Sequence, residues 1–146
     1  MTTPTEEMIS AIVDESFIFR SLDDDIRTLL KEKAHGCQFS AGDVIIQEGD
    51  EGTEMMIVHS GTVQVKQLSP KGEVSLAELG KRAVIGEVSV ITGTPRTSTI
   101  VARDDVSVIC FSREVIQSII ESSPKVKKLL LKLIEGRALR SMGISQ

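Results

Sequence analysis

Tryptophan and tyrosine are absent from this 146-residue chain, phenylalanine occurs four times, and aromatics make up only 3% of it. The core must therefore be built from Val, Ile and Leu. No row of aromatic faces is available on which single-stranded nucleic acid stacks. Histidine and cysteine are as scarce, with two of each. His35 and His59 form no HxH pair, which argues against the histidine cluster of a jelly-roll metal enzyme. Cys37 and Cys110 are far apart in sequence, show no CxxC spacing, and read as reduced thiols of a cytoplasmic protein. There is no GxSxG signature of an activated nucleophile. The sequence thus predicts no enzyme, no catalytic residue and no metal ligand. No apolar run approaches the roughly 18 residues of a membrane-spanning helix. The opening MTTPTEEMIS has acidic residues and no basic segment ahead of an apolar one, unlike a secretory signal. Basic charge is not in excess either. Seventeen Lys and Arg against 21 Asp and Glu leave a net charge of -4, which argues against a surface made for DNA or anionic lipid.

What is present is an ordinary globular balance, 40% hydrophobic and 26% charged, at the length of one domain. Such a chain buries roughly 68–70% of its unfolded surface and needs no staple. Residues 4–13 predict a helix, with Pro4 and two Glu in the first turn and Met8, Ile9, Ile12 and Val13 at helical spacing. Asp23, Asp24 and Asp25 suit the positive end of a second helix and read as its solvated start. Between residues 35 and 112 the texture changes. Short runs (CQFS, VIIQ, MMIVH, TVQVKQL, VSLAEL, TSTIVA, VSVICFS) alternate with turn formers. About seven strands at this spacing predict an antiparallel β jelly roll, mainly β with flanking helices. The glycines at 42, 49, 52, 61 and 72 are expected to supply left-handed turns. After Ser112 two C-terminal helices follow. The second, from about residue 125 to 141, carries an apolar stripe of Val126, Leu129, Leu130, Leu133 and Ile134. Residues 124–146 hold six basic and one acidic side chain, +5 against -9 for the remainder, which reads as a solvated face. The organisation is a helical segment over 1–34, a β roll over 35–112 and C-terminal helices over 113–146.

Residues 85–102, IGEVSVITGTPRTSTIVA, do not look like an ordinary connection between strands. Gly86-Glu87 opens a stretch too brief for a packed helix, yet one helical turn there presents backbone N–H groups that suit an anion. Pro95 fixes its own φ and keeps Thr94 extended, which restricts the orientation of Arg96. A guanidinium binds phosphate through paired hydrogen bonds. An ionised Glu87 only accepts, so beside a phosphate it must face a donor such as a sugar hydroxyl. The pattern fits a molecule with one phosphate and one free hydroxyl. On the pattern alone a structural Glu87–Arg96 ion pair is equally open.

The order of these signals resembles the cyclic nucleotide-binding domain family, shared by regulatory subunits of cAMP-dependent protein kinase, nucleotide-gated channels and the bacterial catabolite activator protein. GDVIIQEGDEGTEMMIVHSGTVQV (42–65) is similar to its strand–glycine signature, and residues 85–102 to its phosphate-binding cassette. The resemblance implies a ligand, cAMP or cGMP. It implies that Glu87, with the Gly86 backbone nearby, accepts from the ribose 2′-hydroxyl. Arg96 would bind the exocyclic phosphate oxygens, and the N–H groups of Ser89 and Thr97 would complete the cradle that Val88 adjoins. Val65 and Leu76 would line the base, with Thr97 and Ser98 near the purine. A threonine directly after the arginine favours cGMP when the base is syn, but relatives with the same pair accept cAMP, so base preference stays open. The C-terminal helix is expected to close over the purine through Leu129, Leu130, Leu133 or Ile134, with Arg137 stacking on the base. Two departures stand out. Arg82-Ala83 replace the family's usual Gly-Asp, and Met56 replaces its usual Tyr. No winged helix, kinase, channel or cyclase segment is recognised, so the expectation is a cytoplasmic sensor module acting on an unknown protein effector. It is expected to make no direct nucleic-acid contact and to be able to pair as a homodimer through the C-terminal helix. The alternative is a roll of the same family that binds no ligand and serves as a docking or dimerisation surface.

Overall fold

The computed structural model describes residues 5–141, with side chains to residue 136. Helix α1 (Glu6–Glu15) starts at Thr5, whose hydroxyl accepts from the Met8 N–H at 3.3 Å. Helix α2 (Asp24–Lys33) places Asp24 and Asp25 in its first turn and Lys31 and Lys33 in its last, the polarity that a helix dipole favours. Asp24 pairs with Arg27, in keeping with a solvated helix start.

Eight strands follow in two four-stranded antiparallel sheets. The first sheet has the order β1-β8-β3-β6 and the second β2-β7-β4-β5. Their ranges are β1 (His35–Phe39), β2 (Val44–Ile46), β3 (Glu54–Ser60), β4 (Val63–Ser69), β5 (Gly72–Leu79), β6 (Val84–Ile85), β7 (Thr99–Ala102) and β8 (Val106–Ser112). This is the predicted jelly roll with flanking helices. β6 was not predicted. Its two residues pair with β3 as Met56↔Ile85 and Ile57↔Val84, a run too short to show alternation.

The first sheet is buried on both faces, which explains why MMIV and VSVICF read as almost continuous apolar runs. One face, with Met55, Ile57, Val84, Ile109 and Phe111, packs on the helices. The other, with Met56, Val58, Ile85, Val106, Val108 and Cys110, packs on the second sheet. Phe111 meets Phe19 edge-on with ring centroids 5.2 Å apart, so two of the four phenylalanines pin the N-terminal segment to β8. Helices α4 (Arg113–Ser122) and α5 (Pro124–Ser141) complete this layer. Ile116, Ile119, Val126 and Leu130 are buried in it beside Ile12, Val13 and Leu30. Each such side chain, fully removed from water, contributes roughly 1.5–3 kcal/mol. None of the helices among the described residues is long and apolar enough to cross a membrane.

Arg82 sits at φ +75, the left-handed region, where the resemblance expects a glycine. Its N–H donates to the Val58 carbonyl at 2.7 Å and Val58 N–H donates to Ala83 O at 2.9 Å, so the turn is held whatever its strain. A non-glycine residue there costs roughly 1–2 kcal/mol. Arg82→Gly relieves that cost, loses some through the freer unfolded chain, and gives up an ion pair to Glu15 whose partners are both more than half exposed. The expected net gain is up to about 1 kcal/mol in chemical unfolding. A loss of stability would show that the Arg82–Glu15 tie outweighs the backbone.

Candidate functional site

Between β6 and β7 the chain makes one short helix, α3 (Glu87–Thr92), capped at both ends by left-handed glycines. Gly86, at φ +76, has no side chain with which to cap the N–H groups opening this turn. A Cβ on Gly86 would stand 2.6 Å from Arg96 Nη1 and 3.1 Å from the Glu54 carbonyl. Glycine is therefore required twice over, for the turn and for the approach of the guanidinium.

Glu87 is 1% exposed, Ser89 2% and Arg96 8%, so the sequence-predicted carboxylate and guanidinium are both taken out of water. Arg96 donates from Nη1 to the Gly86 carbonyl at 2.9 Å and from Nη2 to the Glu54 carbonyl at 2.8 Å. Those bonds use two of the five N–H groups that a guanidinium carries and fix its plane. Burial is the main cause that lowers the pKa of Arg96 from its ordinary value. Nearby Glu54, Glu87 and Asp50 act the other way, and Arg113 adds to the lowering. The desolvation thus outweighs the compensation from the three carboxylates, which is the situation in which an added anion is welcome.

The backbone of Arg96 is held as firmly as its side chain. Its N–H donates to Asp50 O at 2.7 Å and its carbonyl accepts from Gly49 N–H at 2.9 Å. Sequence reasoning assigned this orientation to Pro95; the loop between β2 and β3 does at least as much. The same loop contains the one glycine whose predicted role is wrong. Gly42, Gly49, Gly61 and Gly72 have positive φ as expected, but Gly52 does not. It is glycine because a Cβ there would lie 2.2 Å from Ser89 Cβ. Arg113, which sequence reasoning missed, clamps this loop: its guanidinium donates to the Gly52 carbonyl and lies 3.8 Å from Glu51. Its own N–H donates to Thr53 O at 2.9 Å.

The other predicted residues lie around this centre. Val88 is half-buried in α3, and its carbonyl accepts from the Thr92 hydroxyl at 2.6 Å. Thr97 is exposed, and its carbonyl accepts from Gln67 of β4 at 3.1 Å, which ties the end of the cassette to the second sheet. Ser98 is half-buried. Thr99, not predicted, accepts from the Glu48 N–H at 3.0 Å. Val65 is half-buried on β4 opposite Ile100 of β7 and Ala77 of β5. Leu76 is the extra residue of a β-bulge, since Val65 pairs with Ala77 and Lys66 with Ser75. Bulges re-aim side chains, and in the order of the second sheet β4 lies between Leu76 and β7. On α5, Leu130 is fully buried in the helical core and Leu133 packs against it, while Leu129 and Ile134 are half-buried. Leu130 therefore anchors the helix. The Arg137 side chain lies outside the described residues.

Residues 37–123 match the cyclic nucleotide-binding domain family. The chain belongs to that family. Over 131 residues this cyclic nucleotide-binding domain is 25% identical to a CRP-like cAMP-activated global transcriptional regulator of Mycobacterium tuberculosis, covering 89% of this chain and 58% of that protein. It is 26% identical over 136 residues to the cAMP-dependent protein kinase regulatory subunit of Dictyostelium discoideum, covering 92% and 42%. The regulatory domain of Toxoplasma gondii PKA, solved with cAMP, shares the fold at a TM-score of 0.73 and 24% identity, over 78% of this chain and 44% of that one. The chain spans about half the length of these curated relatives, which are regulatory proteins.

Proposed function

We propose that this domain binds a cyclic mononucleotide, cAMP or cGMP, and acts as a regulatory sensor. The observation that carries the reading is the burial of Arg96 and Glu87 at one place, with the cation held by carbonyls and incompletely compensated by carboxylates. A singly charged cyclic phosphate would give the desolvated guanidinium an anionic partner, bound through paired N–H donors. Glu87 takes the ribose 2′-hydroxyl, Gly86, Val88 and Ser89 form the turn around the phosphate, and Thr97 and Ser98 lie toward the purine. Val65 and Leu76 offer apolar surface to the base. The relatives named for cAMP support that ligand, without deciding between it and cGMP.

The signal would leave through α5. Val126 and Leu130 seat it in the core, and it packs against α3, the helix that carries Glu87 and Ser89. A ligand that draws α3 inward shifts α5 to the extent that it binds one arrangement better than the other. Leu129 and Ile134, half-buried and outside that core, are the residues left to cap the base, and an effector protein or a second copy of the chain would read the new helix position. The setting is cytoplasmic.

Glu87 gives the decisive test. A hydrogen bond to a charged group contributes roughly 1.5–3 kcal/mol, about ten- to 150-fold in affinity. Calorimetric titration of Glu87→Ala with cAMP, cGMP and 2′-deoxy-cAMP is expected to show that loss for the ribonucleotides and none for the deoxy compound. A mutant that keeps full preference for the ribose form would remove Glu87 from the sugar.

A further inference from the structure

The first sheet brings together four side chains that the cassette does not use. We propose that His35, Cys37, Cys110 and Glu54 form a binding site for a thiophilic divalent cation of the Zn2+ class. His35 stands directly opposite Cys110 across the β1–β8 ladder, and Cys37 lies two residues further along β1. Met56 of β3 is the partner of Cys110 on its other side, so Glu54 is the diagonal neighbour. Period-two alternation puts all four on the same face, the one toward the second sheet.

Three of these groups are close enough for a tetrahedral site, and Glu54, outside that cluster but against His35, is the candidate fourth ligand. The ligand atoms of His35, Cys37 and Cys110 all lie within 4.8 Å of one another. The two sulfurs are 3.9 Å apart, and His35 Nε2 is 3.1 Å from the Glu54 carboxylate. Zinc bond lengths of about 2.3 Å to sulfur and 2.0–2.2 Å to nitrogen or oxygen give tetrahedron edges of about 3.8 Å for S–S and 3.4 Å for N–O. Two sulfurs, an imidazole and a carboxylate are a donor set for zinc rather than for calcium or magnesium. Binding would release the protons of the coordinating thiols to solvent, since zinc takes sulfur as thiolate. Access is open, because Cys110 is buried, Cys37 and Glu54 are half-buried and His35 is exposed.

Such an ion would tie the edge strand β1 to β3 across β8. It would also set the position of Glu54, whose own carbonyl holds Arg96 at 2.8 Å. The site itself stands or falls independently of nucleotide binding.

The test is titration of the full chain, stripped of metal and kept reduced by a phosphine, with Co2+ and then Zn2+. The expected result is the visible bands of tetrahedral cobalt with a sulfur-to-cobalt charge-transfer band, complete at one equivalent and displaced by zinc. Zinc should raise the melting temperature. Cys37→Ser and the exposed His35→Gln, both away from the helical core, should each weaken binding by on the order of a hundredfold. Absence of the charge-transfer band in the reduced wild type, or bands unchanged in both variants, would overturn the site. Because none of these readouts involves nucleotide, a failure here leaves the cassette reading untouched.

Discussion

Arg96→Ala is expected to cost thirty- to several-thousand-fold in affinity for a cyclic nucleotide, and to destabilise the domain as well. The binding loss follows from removing a buried cation from a phosphate, which costs about 2–5 kcal/mol. The stability loss follows from the free protein. The guanidinium satisfies the Gly86 and Glu54 carbonyls and lies among Glu54, Glu87 and Asp50. Without it two carbonyls lose charge-assisted bonds, at about 2–4 kcal/mol in all. The two effects separate cleanly in one experiment, which measures denaturant unfolding without ligand and affinity by calorimetry under conditions where the mutant is folded. Arg96→Lys is the companion variant. It retains the charge but not the planar fork, so it should recover part of the affinity and little of the carbonyl bonding. Should Arg96→Ala unfold more easily yet bind with unchanged affinity, the arginine is structural only. The ion-pair reading that was open from the sequence would then be the right one.

Local chemistry made the centre of the site legible. Gly86, Glu87 and Arg96 sit within eleven consecutive residues, and the sequence between them is a turn, so their convergence needs no knowledge of distant strands. The jelly roll was legible for a similar reason, since alternation and turn residues are local signals. What could not be read depends on sheet order. His35 and Cys110 meet because β1 and β8 are neighbours, which no spacing in the chain announces. Arg113 reaches the Gly52 carbonyl from the far end of β8. Leu130 looked like one more residue of a lid stripe, and only the packing of α5 on the core shows that it is the anchor. Arg82 is an intermediate case. Its departure from the expected glycine was visible in the sequence, but the resulting positive φ was not.

Gly52 yields the second large effect, and it tests whether the loop before β3 belongs to the site. An alanine Cβ there would stand 2.2 Å from Ser89 Cβ and 3.0 Å from Ser89 Oγ. Both Cβ positions are set by backbone, so no rotamer change relieves the overlap, and either the loop or α3 must move. Overpacking of this kind costs about 1–3 kcal/mol in stability. The displacement falls where it matters. The loop holds the Arg96 main chain through Gly49 and Asp50, and α3 carries Glu87. Gly52→Ala is therefore expected to weaken nucleotide binding by about tenfold or more alongside the drop in stability, with affinity and unfolding as the two readouts. Ser89→Gly removes the opposing Cβ. On its own it costs roughly 0.5–1 kcal/mol through helix propensity, yet added to Gly52→Ala it should restore part of both losses. That non-additivity identifies the clash itself as the cause. If the two substitutions simply add, the glycine is not there to let the loop and the cassette helix touch. Arg96 would then owe its orientation to Pro95 and its own carbonyl bonds alone.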